Sequence, residues 1–130
     1  MLILDTNALS AFAEGDPGML GALANETQLA IPAVVLGEYV YGIRRSRFRR
    51  RYESWLAESA DAFTVLEVGP STAAHYAAIR QELRDSGLPI PTNDVWIAAL
   101  AREYRWPLLT RDRHFASVHG LRLRAWPAIS

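Results

Sequence analysis

Five short apolar runs punctuate the chain: Leu2–Leu4, Gln28–Ile31, Thr64–Val68, Leu108–Thr110 and Leu123–Trp126. Each has the length of a buried strand, and longer segments with helical spacing lie between them. That alternation predicts one α/β domain with a mainly parallel sheet covered by helices.

The helical segments carry their own punctuation. Pro32 suits the first turn of a helix running to about Arg45. Phe48, Tyr52, Trp55 and Leu56 fall at i, i+4, i+7 and i+8, an apolar stripe on a second helix. Ser71 or Thr72 can cap a helix bearing Tyr76, Ile79 and Leu83 on one face, stopped by Gly87 and Pro89. Thr92 or Asn93 can cap another, Val95 to Tyr104, which Pro107 closes. Two further helices are expected, one after Asp5 and one around Gly18–Ala24, separated by Gly15-Asp16-Pro17.

Composition agrees with a single folded domain spanning residues 1–130. Half the residues are hydrophobic and 22% are charged, enough to bury roughly two-thirds of the unfolded surface. There is no cysteine, which fits a reducing compartment. Asp5 interrupts the first apolar run after four residues without a basic leader, unlike a signal peptide. No stretch approaches the ~20 apolar residues of a membrane span. A cytoplasmic protein is the expectation. Net charge is zero, so the molecule as a whole does not attract nucleic acid. All fourteen basic residues are arginine, however, and six lie between Arg44 and Arg51.

The acidic residues change the picture. Asp5 ends the first expected strand and Asp112 lies just past the fourth. In open parallel sheets, ligands bind beyond the carboxyl ends of the strands, although aspartate is also a common turn and cap residue. Glu38 is the only charge in the apolar stretch Val34–Ile43. A helix apolar on every side is expected to be buried, and a buried carboxylate needs either an arginine or a metal ion. Asp94 falls in the first turn of its helix, where the dipole favours negative charge. The alanines after it let that helix pack close to the sheet, bringing Asp94 towards Asp5.

Four converging carboxylates repel one another unless a cation intervenes. Oxygen ligands select Mg²⁺ or Mn²⁺, and the chemistry that follows is hydrolysis of a phosphodiester. No serine, cysteine or histidine nucleophile is then required.

Leu4-Asp5-Thr6-Asn7-Ala8-Leu9, Glu38 in a helix beginning near Pro32, Asn93-Asp94-Val95-Trp96-Ile97-Ala98-Ala99, and Leu108-Leu109-Thr110-Arg111-Asp112-Arg113-His114-Phe115 occur in that order. Together they resemble the PIN-domain nucleases, and more narrowly the VapC-type toxins of bacterial and archaeal toxin–antitoxin pairs. The resemblance implies a three-layer α/β/α sandwich with a short, mainly parallel sheet of four to five strands. It implies a metal site of Asp5, Glu38, Asp94 and Asp112, supported by Thr6, Asn7, Thr110 and Asn93. It also implies an RNA substrate, a homodimer, and a VapB-like antitoxin whose C-terminal segment blocks the active site.

Other residues admit two readings. The Arg44–Arg51 run can bind phosphates or form a solvated helix junction paired with Glu53 and Glu58. Phe48, Tyr52 and Trp55 are expected in the core or a dimer contact rather than as base-stacking platforms. Arg111 and Arg113 flank Asp112 and are assigned to substrate. His114 and His119 are not expected to bind metal, because hard-cation sites prefer oxygen. His75 and the tryptophans at 96, 106 and 126 are read as ordinary structural residues. A receiver-like signalling domain and a P-loop nucleotide binder both require a lysine that the chain lacks. The remaining alternative is a catalytically inactive PIN-fold interaction module.

Overall fold

A computed structural model describes residues 1–128. Its strands are β1 (Leu2–Leu4), β2 (Leu29–Pro32), β3 (Phe63–Leu66), β4 (Leu108–Leu109) and β5 (Leu123–Arg124). Its helices are α1 (Thr6–Ala13), α2 (Pro17–Leu23), α3 (Ala33–Arg44), α4 (Arg49–Ser59), α5 (Pro70–Asp85) and α6 (Thr92–Tyr104). All five strands are parallel, in the order β3-β2-β1-β4-β5.

Alternation within three residues builds two cores. Leu2 and Leu4 point to one face, where they meet Ala8, Met19, Leu23, Leu109 and Trp126. Ile3 points to the other, joining Ala30, Val35, Ile79, Leu100 and Leu108. Helices therefore cover both faces of the sheet, as a three-layer sandwich requires. Ala98, Ala99 and Ala101 are buried on α6, so small side chains bring that helix against its neighbours.

The topology fixes where chemistry can occur. From β1 the chain moves outward through β2 and β3, then returns across β1 to β4 and β5. The direction reverses between β1 and β4, which opens a crevice beyond their C-terminal ends. Asp5 directly follows β1, and Asp112 lies three residues after β4 ends.

The expected elements all form, with boundary shifts of one to three residues. Pro32 stands at the N-cap of α3 rather than inside it, and Pro91 caps α6, so Thr92 and Asn93, expected as caps, are its first two residues. The α5 helix starts at Pro70, so Thr72 occupies its third position, where its hydroxyl accepts from the Gly69 N–H at 3.1 Å. The fifth strand ends at Arg124, and Trp126 instead packs beneath the sheet.

The α3 helix corrects the sequence reading. It is not buried all round: Val35, Tyr39 and Ile43 face the core, while Val34, Leu36 and Val40 are half-buried and Tyr41 is 64% exposed. One stripe suffices to seat this outer-layer helix. No described helix is long and apolar enough to cross a membrane.

Close packing of the C-terminal segment gives a direct test. A Cβ added at Gly18 would lie 2.0 Å from the carbonyl oxygen of Pro127. Gly18→Ala is expected to destabilise the protein by about 1–3 kcal/mol, as overpacking does. Urea denaturation measures it.

Candidate active site

The Asp5 side chain is set before any ligand arrives. It caps α1, accepting from the Ala8 N–H at 2.8 Å, and its other oxygen accepts from the Thr110 hydroxyl. That same hydroxyl oxygen accepts from the Asp112 N–H at 2.9 Å. One threonine thus links the strand-end aspartate to the turn carrying Asp112. The Asp112 carboxylate in turn caps the short 3-10 helix Arg113–Ser117, accepting from the His114 N–H at 2.9 Å.

Glu38 projects from α3 and accepts from the Thr6 hydroxyl at 3.0 Å. Among the described residues no arginine lies within ion-pair distance of it. The arginine alternative for its compensation is therefore absent. Asp94 sits in the first turn of α6, where the helix dipole favours its charge.

These side chains meet. Asp5, Thr6, Asn7, Glu38, Asp94, Ile97 and Asp112 line one cavity of about 160 Å³. At ~30 Å³ per water, that volume accommodates a cation with a few of its waters. Asp94 and Asp112 bring an oxygen each, with a His114 ring nitrogen, to within 4.8 Å of one another.

The electrostatics register the crowding. Burial pushes the Asp5 carboxyl above its usual range; the Thr110 and Ala8 hydrogen bonds oppose this, and Asp112 and Asp94 push it further up. Burial also raises Asp94, His114 opposes it, and the charges of Asp112 and Glu38 add to the rise. The set consists of hard oxygen donors, mutually repulsive and, among the described residues, without a guanidinium partner. That is the donor chemistry of a hard divalent cation.

The supporting residues divide. Thr6 and Thr110 hold carboxylates directly. Asn7 is an exposed wall residue of the cavity. Asn93 is exposed and donates to none of the four carboxylates. Arg113 is exposed, with no carboxylate paired to it among the described residues. Arg111 turns away from the cavity: Nε and Nη2 donate to the Trp126 carbonyl at 3.1 and 2.9 Å, and its guanidinium lies 4.3 Å from the Trp126 ring centre. It fastens the C-terminal segment and is not free for substrate.

His114 was missed. Its Nδ1 lies 3.1 Å from oxygens of both Asp94 and Asp112. Its position two residues after Asp112 was the available signal. A lone histidine gives no direction in sequence, and the 3-10 turn supplies it.

Thr110→Val keeps the shape of the side chain but removes both hydrogen bonds. Outer-sphere changes of this kind cost about 10–100-fold in metal affinity. Mn²⁺ titration by calorimetry is expected to show that loss.

A reversing parallel sheet with carboxylates gathered at its switch point defines a class of protein. The family model described as PIN domain matches residues 2–121, and the chain belongs to the PIN-domain family. The particular relatives are VapC proteins. The tRNA(fMet)-specific endonuclease VapC of Shigella flexneri is 30% identical, covering 95% of this chain and 96% of that protein. Ribonuclease VapC5 of Mycobacterium tuberculosis is 31% identical, covering 91% of this chain and 87% of that one. Among solved structures, DNA-bound VapBC from Salmonella typhimurium aligns with a TM-score of 0.87 at 25% identity, over 97% of this chain and 98% of that one.

Proposed function

We propose that the protein is a Mg²⁺- or Mn²⁺-dependent endoribonuclease acting as the toxin of a type II toxin–antitoxin pair in the cytoplasm. The observation that carries this reading is the one cavity lined by Asp5, Glu38, Asp94 and Asp112, with no compensating arginine among the described residues. The VapC ribonucleases similar over nearly the whole chain support it.

Asp5, Glu38, Asp94 and Asp112 would hold the ion, with His114 beside two of them. A bound divalent cation there supplies charge neutralisation for the phosphate and eases deprotonation of an attacking water. The chain's own contribution is positioning. Thr110 and the Ala8 N–H fix Asp5, while Thr6 fixes Glu38, so these oxygens need no rearrangement. Water would attack phosphorus as the bond to the leaving oxygen breaks; the proton the water loses would pass to solvent, and the leaving oxygen would take one up.

A second groove of about 310 Å³ continues from Thr6 and Glu38 along α1 and α3 to Phe48 and Tyr52, with Glu14 on its wall. Two carboxylates and an aromatic floor suit the antitoxin's C-terminal segment, entering with an apolar anchor and a basic end. The exposed Tyr41 on α3 suits a homodimer contact. The test is incubation of the purified protein with total cellular RNA, with and without Mg²⁺, and mapping of the new ends. Metal-dependent ends are expected; identical patterns in both would leave the inactive interaction module.

A further inference from the structure

At the opposite end of the strands from the carboxylates, α6 ends and β4 begins. There Ala101, Arg102, Arg105, Trp106, Gly120 and Arg122 enclose a cavity of about 370 Å³. Three of these six are arginines and none is acidic, in a chain of zero net charge. Arg102 is tied down: Nη1 donates to Glu82 at 2.7 Å and Nη2 to the His119 carbonyl at 2.6 Å. Gly120, at φ +83°, makes the turn that follows that carbonyl. Arg122 is held by the backbone, its Nη2 donating to the Arg105 carbonyl. Among the described residues, neither Arg105 nor Arg122 pairs with a carboxylate.

Two further features mark the place. Arg105 is the only described non-glycine residue at positive φ, with φ 58° and ψ 35°. Glycine or asparagine normally takes such a helix-ending position, so a charge is kept there at a conformational cost. Beside it, Trp106 stacks on Tyr104, with ring centres 4.6 Å apart and an interplanar angle of 20°. Tyr104 is 38% exposed.

We propose that this cavity binds backbone phosphates of the RNA substrate remote from the scissile bond, with the Tyr104–Trp106 pair offering a stacking face. The proposal rests on the ribonuclease reading for the identity of its ligand. Guanidinium groups pair with phosphate through parallel N–H donors, and aromatic faces accept bases without regard to sequence. A cleavage centre made of carboxylates holds little cationic attraction of its own before metal binds. A separate arginine site supplies that attraction and leaves the carboxylates free for metal.

The test is fluorescence anisotropy of a labelled single-stranded RNA with the full chain, in chelator so that no cleavage intervenes, across a range of salt. Arg105→Gly/Arg122→Gln removes two cations, and glycine suits the backbone at 105, so melting temperature is expected to hold or rise. Two lost contacts are expected to flatten the logarithmic salt dependence by about 1.4, at roughly 0.7 per phosphate on a single strand. Inorganic phosphate at matched ionic strength is expected not to displace the RNA. Unchanged affinity and slope in the folded variant overturn the proposal. Phosphate that displaces the RNA, and binds the wild type but not the variant, overturns it in favour of a free-anion site. The two readings fail separately. RNA that binds through Arg105 and Arg122 but is not cut with Mg²⁺ or Mn²⁺ defeats the nuclease. RNA that is cut, yet binds variant and wild type alike, defeats this site.

Discussion

Asp94→Asn is expected to lower metal-dependent RNA cleavage by roughly a thousandfold or more while the fold persists. The magnitude follows from losing a group that acts only at the reacting centre. Persistence of the fold follows from its location: Asp94 is half-buried in the first turn of α6, and asparagine occupies the same volume without repelling Asp112 and Glu38. The metal-free variant is expected to melt above the metal-free wild type. The sign of its pH dependence is fixed. Burial raises the Asp94 carboxyl above its unfolded value, so its protonated form favours folding at low pH. That contribution is lost as pH rises through the raised value. The stability advantage of Asp94→Asn is therefore largest near neutrality and shrinks on acidification. Cleavage assays on a fixed RNA, with melting curves at several pH values, check both halves. Wild-type cleavage by the variant would remove Asp94 from the reaction.

The second large effect is stabilisation by the ion itself. A ligand that binds only the folded form at 100 times its dissociation constant adds about 2.7 kcal/mol. For a chain of this size that corresponds to a rise of about 10 °C in melting temperature. Mn²⁺ is expected to produce it in the wild type and to lose most of it in Asp5→Asn, which can still cap α1 through its amide oxygen but carries no charge. Asp5→Ala would confuse the result, since losing a cap costs about 0.5–2 kcal/mol by itself. A melting temperature indifferent to Mn²⁺ would leave the acidic cavity without its proposed occupant.

Much of this arrangement was legible in the sequence because it depends on local signals. Apolar runs located the strands, and reading past their ends located Asp5 and Asp112 at the crevice. The alanines after Asp94 indicated a helix that packs closely, and Ala98 and Ala99 are fully buried. The gathering of the four acids also matched, since strand-end position and helix register suffice to aim them. What escaped the sequence depends on contacts between distant segments. Nothing near Arg111 announces that Trp126, fifteen positions on, will capture it. The apolar stretch around Glu38 suggested full burial, whereas α3 covers only one side of the core and leaves Tyr41 outside. His114 needed the backbone of a 3-10 turn before its ring could be placed. The left-handed Arg105 had no sequence marker, because glycine is the residue that normally advertises such a bend.

The hydrogen bond from Thr110 to Asp5 spans 105 positions, and its consequence lies in synthesis. Central β1 pairs with β4, which follows only after β2, β3 and the six described helices. Pairing so remote in sequence makes folding slow, and the cluster of four carboxylates is among the last features to assemble. A chain synthesised no further than α6 therefore lacks the Thr110 and Asp112 that complete the acidic cavity.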